Sequence, residues 1–494
     1  MRKLYPITFI FAFFVLSYNL VTAQNNLVFN IDEVIDLAKE QSPQGLQAKH
    51  TFRANYWQYR SYKATLMPNL VFTATLPNFS RAYTAVQQND GTYEYRQDYS
   101  NRMSGAVNIE QNVPITGGKF SVGSSLSRTD LFGDKSSFSY MSNPLSITYS
   151  QSIFGVNQFK WDKKIEPKRY EEAKKRYLKS MEDVSLTAIR YFFNLAEAQQ
   201  RVANADFNKA NTDTLYRIAR GRYNMGTIGE NEMLQSELNH MNASATLNDA
   251  ILNLASSKNR LRSFLGYNES VDISIEIPES APQIILEVDK VMELAKLNNP
   301  DIMAQERALI EAQRSVANAK ASRGFTADLY MQFGLDKSGG SIADSYKKPN
   351  DMERVQLGIR VPILDWGQGK GKVKMAQSNE ELARVRLQQD ISDFEQEVIL
   401  QVNQYNMQSE QFGITAKADT IAQNRYNVSK QRYLIDKIDI TEMNNAQNDR
   451  DNAQMRYVTA LRNYWTYYYT IRQYTLFDLI NDKPLETDYD KLIE

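Results

Sequence analysis

The sequence predicts an α+β fold that is built from an internal duplication, and two observations support this prediction. The stretch GRYNMGTIGENEM (221–233) returns 210 positions later as QRYLIDKIDITEM (431–443). In each half, segments with a helical period are followed by segments in which apolar and polar residues alternate with period two. A fixed offset between similar stretches indicates that one structural unit occurs twice.

The N-terminal residues have the layout of a secretory signal peptide. A basic start at Arg2 and Lys3 is followed by an apolar run and by small residues before a predicted cleavage site after Ala23. The signal peptide therefore covers residues 1–23, and the mature chain is expected to leave the cytoplasm. No later stretch approaches the roughly 18–20 consecutive apolar residues of a membrane helix.

The composition argues against several kinds of site and partner. Lys and Arg number 58 and so do Asp and Glu, so the charge gives no reason to expect a nucleic-acid partner. The lack of cysteine removes disulfides, thiol catalysis and a lipid-modified N-terminal cysteine. His50 and His240 are the only histidines, and no HExxH, GxSxG or P-loop motif occurs. No metal site, no cofactor and no enzyme activity are expected.

Further pairs of similar stretches define the boundaries of the two repeats. IDEVIDLAKEQSP (31–43) matches VDKVMELAKLNNP (288–300) at an offset of 257, whereas SIFGVNQFK (152–160) matches PILDWGQGK (362–370) at an offset of 210. The first half therefore holds 47 extra residues. We predict a first repeat over 24–270 with an extra β-hairpin at about 100–130, a linker over 271–287, a second repeat over 288–478 and a C-terminal tail over 479–494.

Each repeat is predicted to begin with helix and to continue with strands. Residues 31–66 are rich in Ala, Lys and Gln and are expected to be helical. The later alternating segments fit either a half-buried strand of an ordinary sandwich or a strand with one face toward lipid and the other toward a lumen. These segments are 70–76, 145–153, 325–335 and 355–363.

The surplus of the first repeat is predicted to contain a β-hairpin. Apolar residues alternate over 107–113 and 120–126, on the two sides of Gly117-Gly118. Such a hairpin either adds two strands to the sheet of each chain or lies outside that sheet. The polar, tyrosine-bearing stretch 86–102 is expected to be a surface loop.

Long helices are predicted to follow the strands. From Tyr177, apolar residues recur at alternating steps of four and three, which indicates a heptad seam. A helix over about 160–220 would extend on the order of 90 Å at 1.5 Å per residue. A similar seam runs from Ala446 to Tyr474, with Arg450 as an interruption.

The two similar stretches lie at the far ends of these long helices and are expected to be tight turns. Gly226 and Gly229 supply a permissive backbone in the first turn, whereas the second uses IDKID without glycine. Glu232 and Glu442 then lie near the start of the returning helices, where the helix dipole favours a carboxylate.

These turns, together with VPILDWGQGKGKV (361–373) where the last strand runs into a helix, resemble the TolC family of outer-membrane efflux proteins. The resemblance extends over nearly the whole mature chain. It implies an α+β homotrimer in which the strands form an outer-membrane β-barrel, continuous with a long periplasmic α-helical coiled-coil tunnel. The location implied is the outer membrane of a Gram-negative bacterium, with the tunnel in the periplasm.

The resemblance also implies a periplasmic gate at the narrowed inner tip of the tunnel. Tyr433 and Glu232 occupy positions that link neighbouring helical hairpins and hold the entrance closed in the family. Glu442 matches an acidic position that rings the entrance and favours cations, and Asn231 and Asn445 are placed at the same gate. The sequence departs from the family where Asn445 replaces a second acidic residue and where Ile438 replaces a gating arginine.

The function implied is that of a passive outer-membrane channel in a tripartite efflux or secretion system. Substrates would come from an inner-membrane pump, proton-driven or ATP-driven, through a periplasmic adaptor protein. The adaptor would dock on the two turns, at Gly226, Thr227, Ile228, Gly229, Asp436, Lys437 and Ile438. The alternative is a secreted coiled-coil scaffold or adhesin. A coiled-coil scaffold, however, is not expected to contain two sets of strands between its helices.

Overall fold

The computed structural model describes residues 26–132, 136–267, 271–278, 280–282, 284–435 and 437–493. The predicted signal peptide over 1–23 and the predicted docking residue Asp436 lie outside the described residues. The described chain is rich in helix and contains one six-stranded sheet. Among the described residues, no helix has the length and apolar character needed to span a membrane.

The helices and strands follow one another in two similar halves. In chain order they are β1 (Asn26–Phe29), α1 (Ile31–Gln41), α2 (Pro43–Ala64), β2 (Asn69–Gln87), β3 (Tyr93–Val113), β4 (Gly118–Leu131), β5 (Ser137–Ile153), α3 (Gln158–Asn224), α4 (Glu230–Phe264), β6 (Asp272–Ile275), α5 (Val288–Asn298), α6 (Pro300–Arg323), β7 (Thr326–Gly339), α7 (Ile342–Ser345), β8 (Asn350–Arg360), α8 (Gln368–Leu434), α9 (Ile440–Thr475), β9 (Phe477–Asp478), β10 (Lys483–Pro484) and α10 (Tyr489–Ile493).

The chain divides into two compact units. Unit 1 contains the described residues of Met1–Pro43, Thr187–Ala281 and Phe412–Asn463, and unit 2 contains those of Gln44–Leu186, Pro282–Gln411 and Tyr464–Glu494. Unit 1 holds the ends of the long helices with the turns between them, and unit 2 holds the large sheet.

The large sheet is antiparallel, with the strand order β2-β3-β4-β5-β7-β8. The hairpin β3–β4, whose turn lies between Val113 and Gly118, is paired on both sides and therefore belongs to this sheet. β5 of the first half pairs with β7 of the second, with Leu145 opposite Leu335. The strands β2 and β8 form the two edges of the sheet.

The stretch 86–102, which was expected to be a surface loop, is mostly strand. β2 continues to Gln87, β3 begins at Tyr93, and these two residues are paired across a short turn. The polarity of the stretch suggested a loop, but tyrosine is a residue that strands favour and polar residues suit a solvated sheet face. The hairpin β2–β3 is therefore longer than the sequence pattern indicated.

One face of the sheet is mainly apolar. Strand pairing places Phe72 opposite Val107, Val122 opposite Ile147, and Met331 opposite Val355. Cross-strand partners lie on the same face, so these pairs share one surface. The other face is polar or small, as at Asn108, Gly123, Ser146 and Gly334, which follow one another across the sheet. On the edge strands the apolar side chains are more than half exposed: Leu70, Phe72 and Leu76 on β2, and Val355, Leu357 and Ile359 on β8.

The predicted helix over 31–66 is two helices, and the same break occurs in the second half. α1 ends at Gln41 and α2 begins at Pro43, while α5 ends at Asn298 and α6 begins at Pro300. Proline suits the first helical position, because the amide hydrogen that it lacks has no partner there. The helical period of the sequence continues across the break and therefore did not reveal it.

The heptad seam of α3 is mostly buried, as the sequence predicts, with Tyr191 and Val202 half-buried. Apolar residues of this seam that are at most 9% exposed are Tyr177, Met181, Val184, Ala188, Leu195, Ala198 and Ala205. In unit 2, Tyr177 and Met181 pack with Phe52 of α2 and with Leu476, the residue that follows α9. In unit 1, the parallel pair β1–β6 places Phe29 opposite Ile275. β6 lies within the predicted linker 271–287.

Candidate functional site

The two turns of unit 1 have the same backbone hydrogen bond. At the end of α3, the Thr227 amide donates to the Arg222 carbonyl at 3.0 Å, and the Gly226 amide donates to the Tyr223 carbonyl at 2.9 Å. Gly226 has φ +74°, so this is the glycine-terminated Schellman motif. At the end of α8, the Lys437 amide donates to the Arg432 carbonyl at 2.9 Å. Both turns are therefore closed by an equivalent bond, 210 residues apart.

The helices that follow the turns begin in different ways. The N-cap of α4 is Gly229, which has no side chain to accept a hydrogen bond. The position before α9 is Asp439, whose Oδ1 accepts the amide of Glu442 at 2.8 Å. An N-cap carboxylate of this kind satisfies an amide that the helix itself leaves unpaired. The start of α9 is therefore more strongly anchored than the start of α4.

Glu232 and Glu442 occupy equivalent positions, each being the third residue of its helix. Carboxylates are favoured there by the positive end of the helix dipole. Glu442 and Asn445 are exposed on α9, Asn231 is exposed on α4, and Glu232 is half-buried. The exposed carboxylate of Glu442 is therefore available to set the potential around the second turn.

Tyr433 is 2% exposed and forms part of an apolar cluster at the second turn. The other buried members are Leu215 of α3, Tyr426 of α8, and Ile440 and Met443 of α9. The guanidinium of Arg222 lies 5.8 Å from the centre of the Tyr433 ring. Tyr433 thus packs α8 and α9 against α3 within one chain.

Ile438, which stands where the resemblance implies an arginine, packs against the same cluster. Its side chain is half-buried and extends the apolar contact of Tyr433. The predicted docking positions Gly226, Thr227, Gly229 and Lys437 are exposed, and Ile228 is half-buried. The structure therefore brings Tyr433 and Ile438 together and leaves most of the predicted docking positions open to solvent.

A buried arginine, Arg450, contacts Tyr426 of this cluster. In the sequence it stood out only as an interruption of the apolar seam of α9. Arg450 is 7% exposed, and its guanidinium lies 4.2 Å from the ring centre of Phe207 and 4.7 Å from that of Tyr426. It donates hydrogen bonds to Asn208 Oδ1 at 3.1 Å and to Asp451 Oδ1 at 3.0 Å. Arg450 therefore joins α9 to α3 and α8 by charge and by ring contact together.

A second polar contact at this level joins α3 to α8. Asn211 Nδ2 donates to the Tyr426 hydroxyl at 2.8 Å, and Lys430 Nζ donates to Asn211 Oδ1 at 3.0 Å. Burial raises the pKa of Tyr426, and the positive charge of Arg450 acts in the opposite direction. The Tyr426 hydroxyl therefore stays protonated at neutral pH.

The family model for the outer membrane efflux protein matches residues 34–267 and again residues 291–475. The chain belongs to this family. Because the family model matches once in each half, the predicted internal duplication is confirmed. The resemblance to outer-membrane efflux proteins is confirmed as well.

Individual proteins that match this efflux protein share only low sequence identity with it. The cation efflux system protein CusC of Escherichia coli O6:H1 is 25% identical over 154 residues, which cover 31% of this chain and 29% of that protein. The matched part therefore spans less than a third of the length of this curated relative.

Solved channels share the fold over nearly the whole chain. The Campylobacter jejuni CmeC outer membrane channel superposes with a TM-score of 0.66 at 16% identity, covering 94% of this chain and 88% of that one. The outer membrane protein VceC of Vibrio cholerae gives a TM-score of 0.64 at 13% identity, with 92% and 97% covered. The open state of the Neisseria gonorrhoeae MtrE channel gives 0.60 at 14% identity, with 92% and 91% covered. The predicted fold class is thereby confirmed.

Proposed function

We propose that this efflux protein is the outer-membrane channel of a tripartite efflux or secretion system. Three copies assemble into one channel, and substrates pass through it passively from a periplasmic adaptor and an inner-membrane pump to the exterior. The observation that carries the proposal is the antiparallel sheet with one apolar and one polar face, placed in the same chain as two long helical hairpins. An apolar face toward lipid and a polar face toward a lumen is the pattern of an outer-membrane barrel.

The edges of the sheet support assembly from several copies. Among the described residues, β2 and β8 each pair with one strand of the sheet, so each presents backbone groups without a strand partner on its other side. Unpaired amides and carbonyls are costly in a bilayer, and only closure of the sheet removes them. Pairing of β8 in one copy with β2 in the next would close a barrel to which every copy contributes six strands.

Exposed seams on the helices of unit 1 support the same arrangement. Along α8 and the residue that follows it, four apolar residues recur at intervals of seven, and all are between 56% and 66% exposed: Ile414, Ile421 and Val428 on the helix, and Ile435 just after it. On α4, Leu234, Leu238 and Met241 follow at steps of four and three and are between 50% and 61% exposed. Apolar heptad positions are normally buried against a partner helix. We infer that the α8 seam of one copy packs on the α4 seam of its neighbour, a head-to-tail contact that closes into a ring.

The second turn would form the periplasmic gate of this channel. Tyr433 would hold the entrance closed by packing α8 and α9 against α3, with Ile438 in place of a charged contact. Glu232, with Asn231 beside it, would link this hairpin to the neighbouring one. Glu442, with Asn445, would form a ring in which three carboxylates concentrate negative potential and favour cations.

The adaptor would dock on the two turns, at the residues Gly226, Thr227, Ile228 and Gly229 in the first and Asp436, Lys437 and Ile438 in the second. Two turns with an equivalent closing bond would offer similar surfaces around the tip of the channel. The energy for transport would come from the pump, whether proton-driven or ATP-driven.

Cysteine cross-linking tests this assembly directly, because the chain contains no cysteine of its own. We would combine one cysteine from the α4 seam (Leu234, Leu238 or Met241) with one from the α8 seam (Ile421, Val428 or Ile435) and oxidise outer-membrane fractions. Dimers and trimers on denaturing gels are expected for pairs in register. The control pair, Thr246→Cys with Asn427→Cys, uses exposed positions off the seams and should stay monomeric. Recovery of the protein in a soluble fraction, with no cross-linked species for any pair, would favour the secreted scaffold.

A further inference from the structure

The segment that joins β8 to α8, residues 361–367, carries large apolar side chains that are exposed. Ile363, Leu364 and Trp366 are each at least 68% exposed, and Ile363 continues the apolar alternation of β8. Tryptophan is enriched where the hydrocarbon of a membrane meets the lipid headgroups. The segment therefore extends the apolar face of the sheet toward the helices.

Two phenylalanines lie at the same end of the sheet. β5 pairs with β7 as far as Ile153, and β7 pairs with β8 as far as Arg360, so these strand ends are neighbours. Phe154 follows β5 and Phe325 precedes β7, and their ring centres are 4.5 Å apart. Both rings are exposed. The exposed apolar surface at this end is therefore shared by three strand ends of unit 2.

Unpaired positive charge begins directly after this apolar segment. Lys370, Lys372 and Lys374 are exposed, and none forms an ion pair among the residues that the structure describes. α8 contains no Asp or Glu before Glu380. Lys370 and Lys374 are four residues apart and share one face of the helix, where two like charges are destabilising. The start of α8 therefore lacks an anion that would balance it.

The first repeat has the same pair of lysines. Lys160 and Lys164 of α3 correspond to Lys370 and Lys374 at the offset of 210, and both are exposed without a carboxylate partner in the described chain. Basic residues farther along α3 do pair with carboxylates: Lys168, Arg169, Lys174, Arg176 and Lys179. Both long helices thus place two unpaired lysines beside the sheet.

A neighbouring copy in the proposed channel would not balance these lysines. There β8 pairs with β2 of the next copy, and residues 43–89, which form α2 and β2, contain no Asp or Glu. Lipid headgroups do supply an anion, because phospholipids carry a phosphate. Lys370 and Lys374 are about 6 Å apart along the helix axis, and the headgroup layer is about 5–7 Å thick on each side of a bilayer.

One phospholipid can reach both the lysines and the apolar segment. Trp366 and Lys370 are four residues apart, which corresponds to at most about 14 Å, whereas half a bilayer measures about 20 Å. Lysine also keeps its alkyl stem on apolar surface while its ammonium reaches the headgroup.

We propose that Lys370 and Lys374 bind the phosphate of an anionic phospholipid in the leaflet that faces the periplasm, with the acyl chains on Ile363, Leu364 and Trp366. The site rests on the proposed function, because it requires the sheet to lie in the outer membrane.

Fluorescence quenching in vesicles tests the proposal. The purified full-length protein is reconstituted into vesicles of phosphatidylcholine that contain increasing fractions of brominated phosphatidylglycerol or, for reference, of brominated phosphatidylcholine. Bromine on the acyl chains quenches tryptophans that the chains contact, and the part of the signal that Trp366→Phe removes belongs to Trp366. We expect brominated phosphatidylglycerol to quench Trp366 at a roughly fivefold lower fraction than brominated phosphatidylcholine.

The lysines are tested by two variants and a control. Lys370→Gln/Lys374→Gln should lower the preference for phosphatidylglycerol at least about threefold, because two positive charges are lost. Lys370→Arg/Lys374→Arg keeps the charges and should keep the preference. The control Lys209→Gln/Lys417→Gln removes two exposed lysines of unit 1 and should behave like the wild type.

Equal quenching of Trp366 by both lipids in the wild type overturns the proposal, as does an unchanged preference in Lys370→Gln/Lys374→Gln. Loss of the preference when inorganic phosphate replaces chloride at equal ionic strength also overturns it, because the site would then take free phosphate. Conductance of the same preparation separates the two claims. Channel steps without a lipid preference overturn the lipid site alone, whereas a protein that does not insert into the vesicles overturns the channel as well.

Discussion

The guanidinium of Arg450 on α9 lies 4.7 Å from the ring centre of Tyr426 on α8, and this pair is buried within unit 1. The same guanidinium reaches Asn208 on α3. We predict that Arg450→Met, which keeps a long side chain but removes the charge, lowers stability by about 2 kcal/mol. Arg450→Lys should recover only part of this loss, because an ammonium lacks the planar group that stacks on rings.

The measurement is thermal unfolding of the detergent-solubilised protein, followed by circular dichroism. The matched control is Arg425→Met, which removes an exposed arginine of α8 that pairs with Asp449. Exposed ion pairs contribute little, so the control should melt within a degree or two of the wild type. Equal melting temperatures for Arg450→Met and the wild type would show that the buried pair does not hold these helices together.

The two glycines of the first turn are predicted to respond in opposite directions. Gly226 has φ +74°, so Gly226→Ala should lower the stability of the turn by about 1 kcal/mol. Gly229 is an N-cap with φ −79° and no side chain, so Gly229→Asp copies the second turn and should stabilise the start of α4 by about 1 kcal/mol. Hydrogen exchange of the amides around the turn measures both effects. Faster exchange in Gly229→Asp would contradict the capping argument.

Asp478 is predicted to make unit 2 sensitive to acid. Burial alone would raise its pKa, but hydrogen bonds from Tyr468 and Asn481 and the charge of Arg472 hold the pKa below its ordinary value. A carboxyl with a lowered folded pKa contributes stability above its unfolded pKa of about 3.9 and loses it as the pH falls through the folded pKa.

At pH 7, Asp478→Asn should therefore lower the free energy of unfolding by about 2 kcal/mol and lower the melting temperature clearly. In strong acid both effects should be much smaller. The comparison of melting curves of both proteins from pH 7 to pH 2 checks this. Asp488→Asn, at an exposed position near the C-terminus, serves as the control. A constant difference between the wild type and Asp478→Asn at every pH would contradict the assigned pKa direction.

The features that repeat could be predicted, because a repeat is visible in the sequence itself. The turns at 221–233 and 431–443 were found by comparing two similar stretches, and the seam beginning at Tyr177 was found from the regular recurrence of apolar residues. The break before Pro43 was missed because the helical period runs through it. The strand over 93–102 was missed because its residues are polar on a face that water can reach.

The candidate site was only partly predictable for a different reason. Glu442 lies in a local motif, so its place at the start of a helix followed from its neighbours in sequence. The contacts of Arg450 join α3, α8 and α9. A contact between residues more than 200 positions apart leaves no periodic signal in a single sequence.

The measurement that tests the central claim most directly is single-channel conductance of the purified protein in a planar bilayer. We expect discrete conductance steps that are small in the wild type and larger in the Tyr433→Ala/Glu232→Ala double variant. Glu442→Gln should weaken the preference for cations, and the control Glu410→Gln should leave it unchanged. The absence of channel activity in every variant, in a protein that stays soluble without detergent, would contradict an outer-membrane channel.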